Sequence, residues 1–546
     1  MEFVLALHSH LPYVLNHGRW PHGSDWLCEA ALDTYLPLLE RVEELAAEGT
    51  PAPLTIGFTP VLANQLVSPT FAREMEAFFK QRITACDEAP ASLATTGDQG
   101  LLPLVDFWRS RLNRLQALFR RINGNLVSAF RRLQEQGRLE IIGSAATHGY
   151  LPLLARDESI RLQLAVGREE HRRLFGVTPK GCWLPECAYR PRSKNRRGIE
   201  EHLADAGFRY FFTDAHLAHA GSPLGAYGDI PLGAERFDAD RHDDPSRTGR
   251  PIKAARSPYR AYRVSRAARG SVAALVRDPR SSMQIWSRHQ GYPGDESYLE
   301  FHKIRWPGGL KLWRVSGANV DLGAKRPYEP RVALERAGGH ASHFVHLLES
   351  IAQEQRVDDQ NVIVAPFDTE LFGHWWFEGT DFLAATYRGL RGRSVRAVTA
   401  SHHLEAHPAS TGLQLAEGSW GANGDHSMWL NDRTAWTWQR LAPLEEAFWD
   451  TAPAALASAA ARPVLAQAAR ELLLAQASDW QFIISTGAVV DYAERRFTLH
   501  CDDAERLIKT LAGGELEAGG RLADELARRD ELFPNVLAQV AEALAG

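Results

Sequence analysis

Two acidic residues far apart in the chain each follow a short apolar run. Glu186 stands in the segment Trp-Leu-Pro-Glu-Cys-Ala-Tyr that begins at Trp183, and Asp368 follows the run Val-Ile-Val-Ala-Pro-Phe that begins at Val362. In α/β barrels, side chains at the carboxyl ends of parallel strands perform the chemistry. Two carboxyl groups about 5–5.5 Å apart can cleave a glycosidic bond with retention, one as nucleophile and the other as general acid and base. Glu186 and Asp368 are therefore the candidate catalytic pair.

The sequence neighbours of the two carboxylates indicate different tasks. Arg190 lies four residues after Glu186 and offers a cation that can hold a carboxylate ionised. Asp368 is followed by the aromatic segment Leu-Phe-Gly-His-Trp-Trp-Phe. Partly dry surroundings of this kind can raise the pKa of a carboxyl group toward the value that an acid catalyst needs. Glu186 is thus the predicted nucleophile and Asp368 the predicted general acid and base.

Three histidines also stand at the ends of apolar runs. His8 and His10 end the first run, Phe-Val-Leu-Ala-Leu, and His148 follows Leu-Glu-Ile-Ile-Gly after four residues. An H-x-H pair joined by a third histidine and an aspartate can bind zinc or manganese. The same histidines can also donate hydrogen bonds to sugar hydroxyls and orient a carboxylate. The residues alone leave both interpretations open.

Tryptophan is unusually frequent, with 15 copies. Several copies stand in polar, glycine-rich segments rather than in periodic apolar runs, which is typical of flat platforms on which sugar rings stack. For any single tryptophan, ordinary core packing is an equally good interpretation. The residues in such segments are Trp20, Trp26, Trp375, Trp376, Trp420 and Trp429.

The polar strand ends alternate with helical patterns along the first 400 residues. Apolar runs at 3–7, 54–58, 139–143, 180–184, 210–214 and 362–368 predict buried strands, and helical spacing fills the segments between several of them. Alternating strands and helices favour an α/β barrel with parallel strands. This architecture would collect His8, Asp214 and the other strand-end residues at one end of the barrel.

Two segments depart from this alternation. From about residue 430, Ala- and Leu-rich helical patterns run through 454–477 and 504–545, and they predict a helical C-terminal domain with 412–431 as the seam. Residues 233–257 are charged, punctuated by Gly and Pro and poor in apolar residues, which predicts a loop.

Composition excludes several classes of protein. The chain has 546 residues, a formal net charge of -5 and no concentrated basic stripe, which disfavours nucleic-acid binding. No stretch approaches the roughly 20 apolar residues of a membrane span, and two histidines interrupt the first apolar run before it could form a signal-peptide core. The five scattered cysteines lack the spacing of a zinc site and are typical of a reducing compartment. We therefore expect a cytoplasmic enzyme.

Several motifs together resemble glycoside hydrolase family 57, and within it the 1,4-α-glucan branching enzymes. The resemblance covers nearly the whole chain. Its segments are His-Ser-His-Leu-Pro-Tyr from His8, Trp-Pro-His-Gly-Ser-Asp-Trp from Trp20, Gly-Ser-Ala-Ala-Thr-His-Gly-Tyr-Leu-Pro-Leu from Gly143, Trp-Leu-Pro-Glu-Cys-Ala-Tyr from Trp183, Ser-Ser-Met-Gln-Ile-Trp from Ser281, Gly-Tyr-Pro-Gly-Asp from Gly291, Phe-Asp-Thr-Glu-Leu-Phe-Gly-His-Trp-Trp-Phe-Glu-Gly from Phe367 and Glu-Gly-Ser-Trp-Gly from Glu417.

The resemblance implies a fold and a set of roles. The expected catalytic domain, residues 1–410, is an incomplete (β/α)7 barrel that contains a helical insertion and the charged loop at about 233–257. The expected second domain, residues 411–546, is helical and helps to close the active site. The family's nucleophile corresponds to Glu186 and its acid/base to Asp368. Family members need no metal or other cofactor, which favours sugar binding by the histidines. The substrate-binding residues that we expect are His8, His10, Trp20, Trp26, His148, Tyr259, Trp286, Trp376, Trp420 and Trp429.

One feature departs from the family pattern. Family branching enzymes carry a loop whose tyrosine overhangs the site and favours transfer over hydrolysis. In this chain the region is enlarged by the charged stretch 233–257. Tyr259 is the best match for the loop tyrosine, and Tyr227 and Tyr262 are its rivals.

The expected function is a 1,4-α-glucan branching enzyme that transfers a cleaved chain to a 6-hydroxyl group. The first alternative is a family 57 α-amylase or 4-α-glucanotransferase. The second is a metal-dependent hydrolase built on His8, His10 and His148, and a glucan-binding protein without catalysis is the least favoured. The expected partner is an α-glucan, with no nucleic acid or membrane, and the chain is expected to be a monomer or a weak homo-oligomer.

Overall fold

The computed structural model describes residues 1–20, 22–224, 256–264, 271–287, 291–317, 319–355 and 360–546. Tyr227 and residues 233–255 of the predicted charged loop lie outside these ranges. The strands of the described chain are β1 (Glu2–Ser9), β2 (Leu54–Phe58), β3 (Leu139–Ser144), β4 (Gly181–Trp183), β5 (Tyr210–Thr213), β6 (Tyr262–Val264), β7 (Val272–Val276), β8 (Val362–Asp368) and β9 (Arg396–Ala397).

The main sheet has the order β6-β7-β5-β4-β3-β2-β1-β8. Every pairing from β7 through β5 to β8 is parallel, and only β6 runs antiparallel, along β7. Seven parallel strands with an edge on each side make an incomplete barrel, so the predicted fold class is confirmed. The barrel is open between β7 and β8. This opening is narrow, because the Asp278 N–H, two residues after β7, donates to the Val364 carbonyl of β8 (2.8 Å).

Strand register brings the polar strand ends together. His8 is paired with Asp368 on one side and with Gly57 on the other. Because all three strands run in the same direction, the residues that follow them emerge at the same end of the barrel. The two sequence segments around His8 and Asp368, 360 residues apart, therefore become neighbours.

The strands separate two apolar layers. Phe3, Leu5 and Leu7 belong to the large cluster shared with the helices, whereas Val4 and Ala6 belong to a second cluster of strand residues inside the barrel. This alternation follows from the two-residue period of a strand. It explains why the strands are apolar throughout rather than alternately polar, since both faces are buried.

Helices cover the barrel and form the C-terminal domain. A π-helical turn at Ala31–Tyr35 joins α1 to α2. The helices are α1 (Ser24–Ala30), α2 (Leu36–Ala47), α3 (Pro60–Leu66), α4 (Pro69–Thr96), α5 (Leu102–Arg121), α6 (Leu126–Glu135), α7 (Asp157–Phe175), α8 (Ile199–Asp205), α9 (Pro279–Trp286), α10 (Pro330–Glu354), α11 (Gly379–Leu390), α12 (Ala400–Ala406), α13 (Ala435–Ala457), α14 (Arg462–Ala475), α15 (Asp479–Thr486), α16 (Val490–Ala512), α17 (Leu516–Arg529) and α18 (Val536–Ala545).

The helices of the C-terminal part are held to the barrel by specific polar contacts. The Ser478 N–H donates to the His148 carbonyl (3.1 Å), and the Tyr13 hydroxyl donates to the Arg529 carbonyl (3.2 Å). His17 contacts the buried Asp530 at 2.6 Å. These contacts join segments that follow β1 and β3 to the helical domain, so that domain lies against the catalytic end of the barrel. Within the described residues, no helix is both long and apolar enough to span a membrane.

Candidate active site

Glu186 lies on a tight turn directly after β4. Glu186 has φ 60° and Cys187 has φ 47°, so two consecutive residues with β-carbons occupy the left-handed region. Such conformations are disfavoured and persist where the surroundings impose them. Three backbone hydrogen bonds do so here: Tyr189 N–H to Gly418 O (2.8 Å), Gly418 N–H to Tyr189 O (3.0 Å) and Trp420 N–H to Glu186 O (3.1 Å). The loop around Trp420 therefore fixes the turn that presents Glu186.

Both oxygens of the Glu186 carboxyl group have protein neighbours. The Trp420 indole Nε1–H donates to Oε2 at 2.8 Å. The Ser478 hydroxyl donates to Oε1 at 3.4 Å, and His148 Nδ1 lies 3.7 Å from the same oxygen. The side chain is 14% exposed, which leaves the carboxyl group open to a substrate. The arrangement orients the carboxylate and keeps one approach free.

Burial raises the pKa of Glu186 to about 7. The charge of Asp479 raises this pKa further, whereas the hydrogen bond from Trp420 lowers it. Arg190, which the sequence suggested as a counter-ion, donates to the Arg197 carbonyl at 2.9 Å and lies among other carboxylates. The ionisation of Glu186 therefore depends on Trp420 rather than on Arg190.

Asp368 is the last residue of β8 and remains partly exposed among buried neighbours. Burial raises its pKa well above the usual range, and the charges of Glu370 and Glu186 raise it further. Arg277 has the opposite, smaller effect on this pKa. Asp368 and Glu186 thus interact electrostatically, and ionisation of Glu186 favours the protonated form of Asp368.

Glu370 is a third carboxyl group beside the pair. It is buried, accepts a hydrogen bond from the Tyr35 hydroxyl and accepts the His10 N–H at 3.2 Å. Burial raises its pKa to about 7. Its negative charge favours the protonated form of Asp368, so Glu370 is a positioning residue that sequence analysis did not single out.

His8 and His148 form a hydrogen-bonded pair. Their Nε2 atoms are 2.9 Å apart, and the His8 ring stacks on Trp183 with a centroid distance of 4.7 Å. His148 also has φ 59°, and its Nδ1 lies 2.9 Å from the Ser478 hydroxyl. Burial lowers the pKa of both histidines well below the usual value, so both rings are neutral. Neutral rings can donate or accept hydrogen bonds, and they do not form an ion pair with the Glu186 carboxylate.

His10 is held between the two domains. Its Nδ1 lies 2.9 Å from the Thr59 hydroxyl, and its Nε2 lies 2.9 Å from one Asp479 oxygen and 3.1 Å from the other. The His10 ring stacks on His148 at 4.0 Å. The structure therefore brings together all three predicted histidines and Glu186.

Ser478 and Asp479 lie in the candidate site but were not identified by sequence analysis. Both lie where α15 begins, and both reach residues of the barrel, namely Glu186, His10 and His148. A Ser-Asp pair at the start of a helix is an ordinary capping sequence. No motif separates this pair from other helix starts, so only the tertiary structure identifies it.

His10, His148 and Asp479 lie close enough together to hold a metal ion. Each ring nitrogen of the two histidines already has a polar partner in the protein. A metal ion would have to replace these contacts. The hydrogen-bonding pattern therefore favours the interpretation in which the histidines orient the sugar and the carboxylates.

The predicted tryptophans occupy different environments. Trp420 contacts Glu186 directly. Trp286 is partly buried, 6.5 Å from the ring of Phe367, which precedes Asp368. Trp26 is partly buried beside His22, and Trp20 is 68% exposed.

Trp376 and Trp429 do not match the expectation of a free stacking face. Trp376 is 1% exposed and packs among aromatic rings that include Phe382 (4.8 Å). Trp429 is fully buried and stacks on Tyr150 at 4.6 Å. Since both faces are covered by protein, these residues support the site through their neighbours rather than by stacking on a sugar.

Tyr259 also departs from its expected place. Its carbonyl accepts the N–H of Val362, the first residue of β8. Asp368 is the last residue of β8, so the Tyr259 backbone lies at the opposite end of this strand. Its side chain is 6% exposed, and Tyr262 is likewise buried; both belong to the outer apolar layer between strands and helices. The chain enters the sheet at this point, so neither tyrosine overhangs the site.

A buried ion pair follows the neighbouring strands. Arg277 Nη1 donates to Asp214 at 3.3 Å, and both residues are 1% exposed. The guanidinium lies 5.5 Å from the Trp420 ring. This pair supports the indole that contacts Glu186. Its cation, Arg277, is also the charge that lowers the pKa of Asp368.

Comparisons with known proteins agree with this geometry. The chain is 39% identical to a 1,4-alpha-glucan branching enzyme of Thermococcus kodakarensis, over 98% of this chain and 77% of the relative. A crystal structure of a GH57-type branching enzyme from Pyrococcus horikoshii has a TM-score of 0.88 and 36% identity, covering 99% of this chain and 96% of that one. The alpha-amylase AmyC of Thermotoga maritima has a TM-score of 0.80 and 29% identity, covering 98% and 99%.

Family models cover both parts of the chain. Residues 441–540 match the model described as 1,4-alpha-glucan branching enzyme, C-terminal. Residues 4–415, which include all of the sheet except the first two residues of β1 and contain both candidate catalytic carboxylates, match the model of glycosyl hydrolase family 57. The chain therefore belongs to glycosyl hydrolase family 57.

Proposed function

We propose that this chain is a retaining 1,4-α-glucan branching enzyme in which Glu186 is the nucleophile and Asp368 the general acid and base. The observation that carries the proposal is the geometry around Glu186, whose carboxyl group is held by the Trp420 indole N–H and the Ser478 hydroxyl and acts electrostatically on Asp368. Burial raises the pKa of Glu186 and that of Asp368, and the negative charge of Glu186 raises the pKa of Asp368 further. Ionisation of Glu186 therefore favours the protonated form of Asp368, and this combination is the one that a double displacement requires.

The first displacement cleaves an α-1,4 bond. A Glu186 oxygen attacks the anomeric carbon, the bond from that carbon to the bridging oxygen breaks, and Asp368 donates its proton to the departing 4-oxygen. The Trp420 N–H remains on the other Glu186 oxygen and orients the attacking one. The product is a glycosyl ester on Glu186 and a shortened glucan with a free 4-hydroxyl group.

The second displacement forms the branch. Asp368, now ionised, accepts the proton of an acceptor 6-hydroxyl group while that oxygen attacks the anomeric carbon. The ester bond breaks, Glu186 regains its negative charge and Asp368 regains its proton. The relatives support a 6-hydroxyl acceptor, because one is named a 1,4-alpha-glucan branching enzyme and the other a GH57-type branching enzyme.

A second candidate function uses the same carboxylates with another acceptor. The alpha-amylase AmyC shares this fold at 29% identity, so the barrel and its carboxylates do not by themselves decide between water and a sugar. Tyr259 and Tyr262 are buried away from the cleft, so neither shields the glycosyl ester. Since Tyr227, the third candidate, lies outside the described residues, the similarity to AmyC is the observation that favours a hydrolytic side activity.

Proton NMR on amylose incubated with the enzyme separates these functions. The α-1,6 and α-1,4 anomeric signals are integrated while new reducing ends are counted, with Glu186→Gln as the inactive control. Branching predicts a rising α-1,6 signal with few new reducing ends. New reducing ends without α-1,6 linkages would show a hydrolase, and linear chains of altered length would show a 4-α-glucanotransferase.

Two wider assignments belong to the same proposal. We place the boundary between the catalytic and the helical domain at 410/411, which leaves Ser478 and Asp479 on the helical side. We also assign the enzyme to the cytoplasm, supported by five cysteines that are all free and buried. The proposed partner is an α-glucan.

A further inference from the structure

Glu2 and His403 form a buried contact at the amino end of β1, opposite the active site. His403 lies on α12 and is 1% exposed. Its Nδ1 lies 2.7 Å from a Glu2 carboxylate oxygen. Its Nε2 is buried and has no hydrogen-bond partner among the described residues. Because buried polar atoms are almost always paired, an unpartnered ring nitrogen marks a place where a ligand can bind.

The contact with Glu2 fixes which ring nitrogen of His403 carries the proton. Burial opposes ionisation of Glu2, but hydrogen bonds from His403 and Arg396 lower its pKa. An ionised carboxylate only accepts hydrogen bonds, so His403 Nδ1 is the donor. Burial lowers the pKa of His403, so the ring is neutral. Its lone pair therefore lies on Nε2, the atom without a partner.

A second histidine lies one helical turn after His403. The His407 N–H donates to the His403 carbonyl (2.8 Å), so the two side chains lie on the same side of the helix end. Their ring centroids are 5.3 Å apart. One possible ligand atom from each of Glu2, His403 and His407 lies within 4.8 Å of the other two. His407 is partly exposed, so its ring can turn toward a shared ligand.

Two imidazoles four residues apart, one of them held by a carboxylate, suit a divalent transition metal. A carboxylate that accepts the N–H of a metal-binding histidine fixes the ring and makes the opposite nitrogen a stronger ligand. Imidazole nitrogen favours Zn²⁺ over Mg²⁺ or Ca²⁺. The cluster of His10, His148 and Asp479 differs, because each of its ring nitrogens already has a protein partner.

We propose that His403 Nε2 and His407 bind a Zn²⁺ ion, that Glu2 orients His403, and that water completes the coordination. Glu2 is the first residue of β1 and Ser9 the last, so the ion lies about 20 Å from the catalytic end of this strand. Residues at the amino ends of barrel strands serve stability rather than catalysis. The ion therefore joins β1 to α12 and stabilises the fold, and it takes no part in the reaction.

Calorimetric titration with Zn²⁺ tests the site. Each protein is freed of any affinity tag, treated with EDTA and dialysed; the five cysteines are buried and do not compete for the ion. We expect wild type to bind a single Zn²⁺, Glu2→Gln to bind about 10-fold more weakly because the negative charge is lost, and His407→Ala about 100-fold more weakly because a ligand is lost. His402→Ala is the matched control, since His402 is exposed on the same helix, and it should bind like wild type.

Thermal unfolding gives an independent readout of the same site. Saturating Zn²⁺ should raise the unfolding midpoint of wild type and of His402→Ala by about 2 °C or more and leave that of His407→Ala unchanged, because an ion that binds only the folded chain stabilises it.

Three results would overturn the inference. They are no Zn²⁺ binding by wild type, equal affinity in wild type and His407→Ala, and an equal loss in His402→Ala, which would mean that exposed rings rather than His403 hold the ion. The inference does not depend on the proposed function. An enzyme that forms no α-1,6 linkages would refute that function and leave the Zn²⁺ affinity as it is.

Discussion

At the scale of single residues, Glu186 combines an unfavourable backbone conformation with a fixed carboxyl group. Its φ of 60° is maintained by the loop around Trp420, which also donates the indole N–H to the carboxylate. The same loop therefore maintains the unfavourable backbone conformation of Glu186 and orients its carboxyl group. The roles of Glu186 and Asp368 can be distinguished by chemical rescue.

Glu186→Ala and Asp368→Ala should each reduce transfer from amylose by roughly 10³-fold or more, because each removes a group that acts in both displacements. With added azide, the Glu186→Ala variant should yield the β-glycosyl azide, since azide replaces the nucleophile directly. The Asp368→Ala variant should yield the α-glycosyl azide through the intact ester. Product analysis by NMR reads the result, and exchanged anomers would reverse the two assignments. Glu405→Gln, an exposed carboxylate elsewhere, is the control for activity.

The rate should depend on pH with a bell shape. Activity requires ionised Glu186, whose pKa is about 7, so the rate falls as pH drops through that value. It also requires protonated Asp368, whose pKa is raised well above the usual range, so the rate falls again at higher pH. The measurement is kcat/KM between about pH 5 and about pH 10, a range that extends to both sides of the pKa of Glu186. A flat acid limb would contradict the assignment of Glu186.

Two substitutions should move the acid limb in opposite directions. Asp479→Asn removes a negative charge that raises the pKa of Glu186, so the limb should shift to lower pH. Trp420→Phe removes the N–H that lowers this pKa, so the limb should shift to higher pH, with a loss of kcat of about 10²-fold. The control is Asp524→Asn, an exposed carboxylate on α17. Shifts in the same direction would show that the two residues act only through structure.

At the scale of elements, the segments after β1 and the helical domain are joined by a buried ion network. Asp530 is fully buried, contacts His17 at 2.6 Å and is paired with Arg529. Burial opposes ionisation of Asp530, but the hydrogen bond from His17 and the charge of Arg529 lower its pKa, and burial lowers the pKa of His17. Asp530 is therefore ionised, His17 is a neutral donor and Arg529 supplies the positive charge.

Asp530→Asn should lower the free energy of unfolding by about 2 kcal/mol at neutral pH, because it removes the buried charge that accepts the His17 hydrogen bond, while Arg529 keeps Asp503 as a partner. Since the pKa of folded Asp530 lies below its unfolded value, its contribution is present above about pH 4 and disappears as the pH falls further. The difference between wild type and variant should therefore shrink in acid. Denaturant unfolding at pH 7 and in acid measures it, and an equal difference at both would contradict this account.

At the scale of the whole molecule, the proposed catalytic centre combines residues of the barrel with residues of the C-terminal helices. The barrel supplies Glu186, Asp368 and the histidines, and the start of α15 supplies Ser478 and Asp479. The same cluster could accept a metal ion through His10, His148 and Asp479, and the two interpretations differ in one simple experiment.

Exhaustive chelation should leave branching activity unchanged, because the ring nitrogens of His10 and His148 are already paired within the protein. Activity on amylose is compared before and after treatment with EDTA and dialysis, and metal content is measured by elemental analysis. Loss of activity that returns with a single divalent metal would establish the metal-dependent alternative. A zinc-dependent hydrolase assayed in parallel confirms that the chelation was complete.

The sequence determined the barrel and the positions of its candidate reacting residues at the strand ends. Apolar runs that end in Glu186, Asp368, His8 and His148 encode buried strands with polar ends, and parallel strands necessarily collect those ends on one side. Strand 54–58 and strand 362–368 were predicted with their observed bounds. Helical periodicity likewise predicted the C-terminal domain, although α16 begins at Val490 rather than near 504.

Only the tertiary structure decided which of the similar residues belong to the site. Trp420 and Trp429 look alike in sequence, yet one contacts Glu186 and the other is buried against Tyr150. Ser478 and Asp479 resemble a common helix start, and Tyr259 resembles a loop residue although it packs beside the start of β8. Local patterns record whether a residue prefers a strand, a helix or a cap. They do not record which distant segment covers it, because burial and proximity arise from long-range packing of the complete chain.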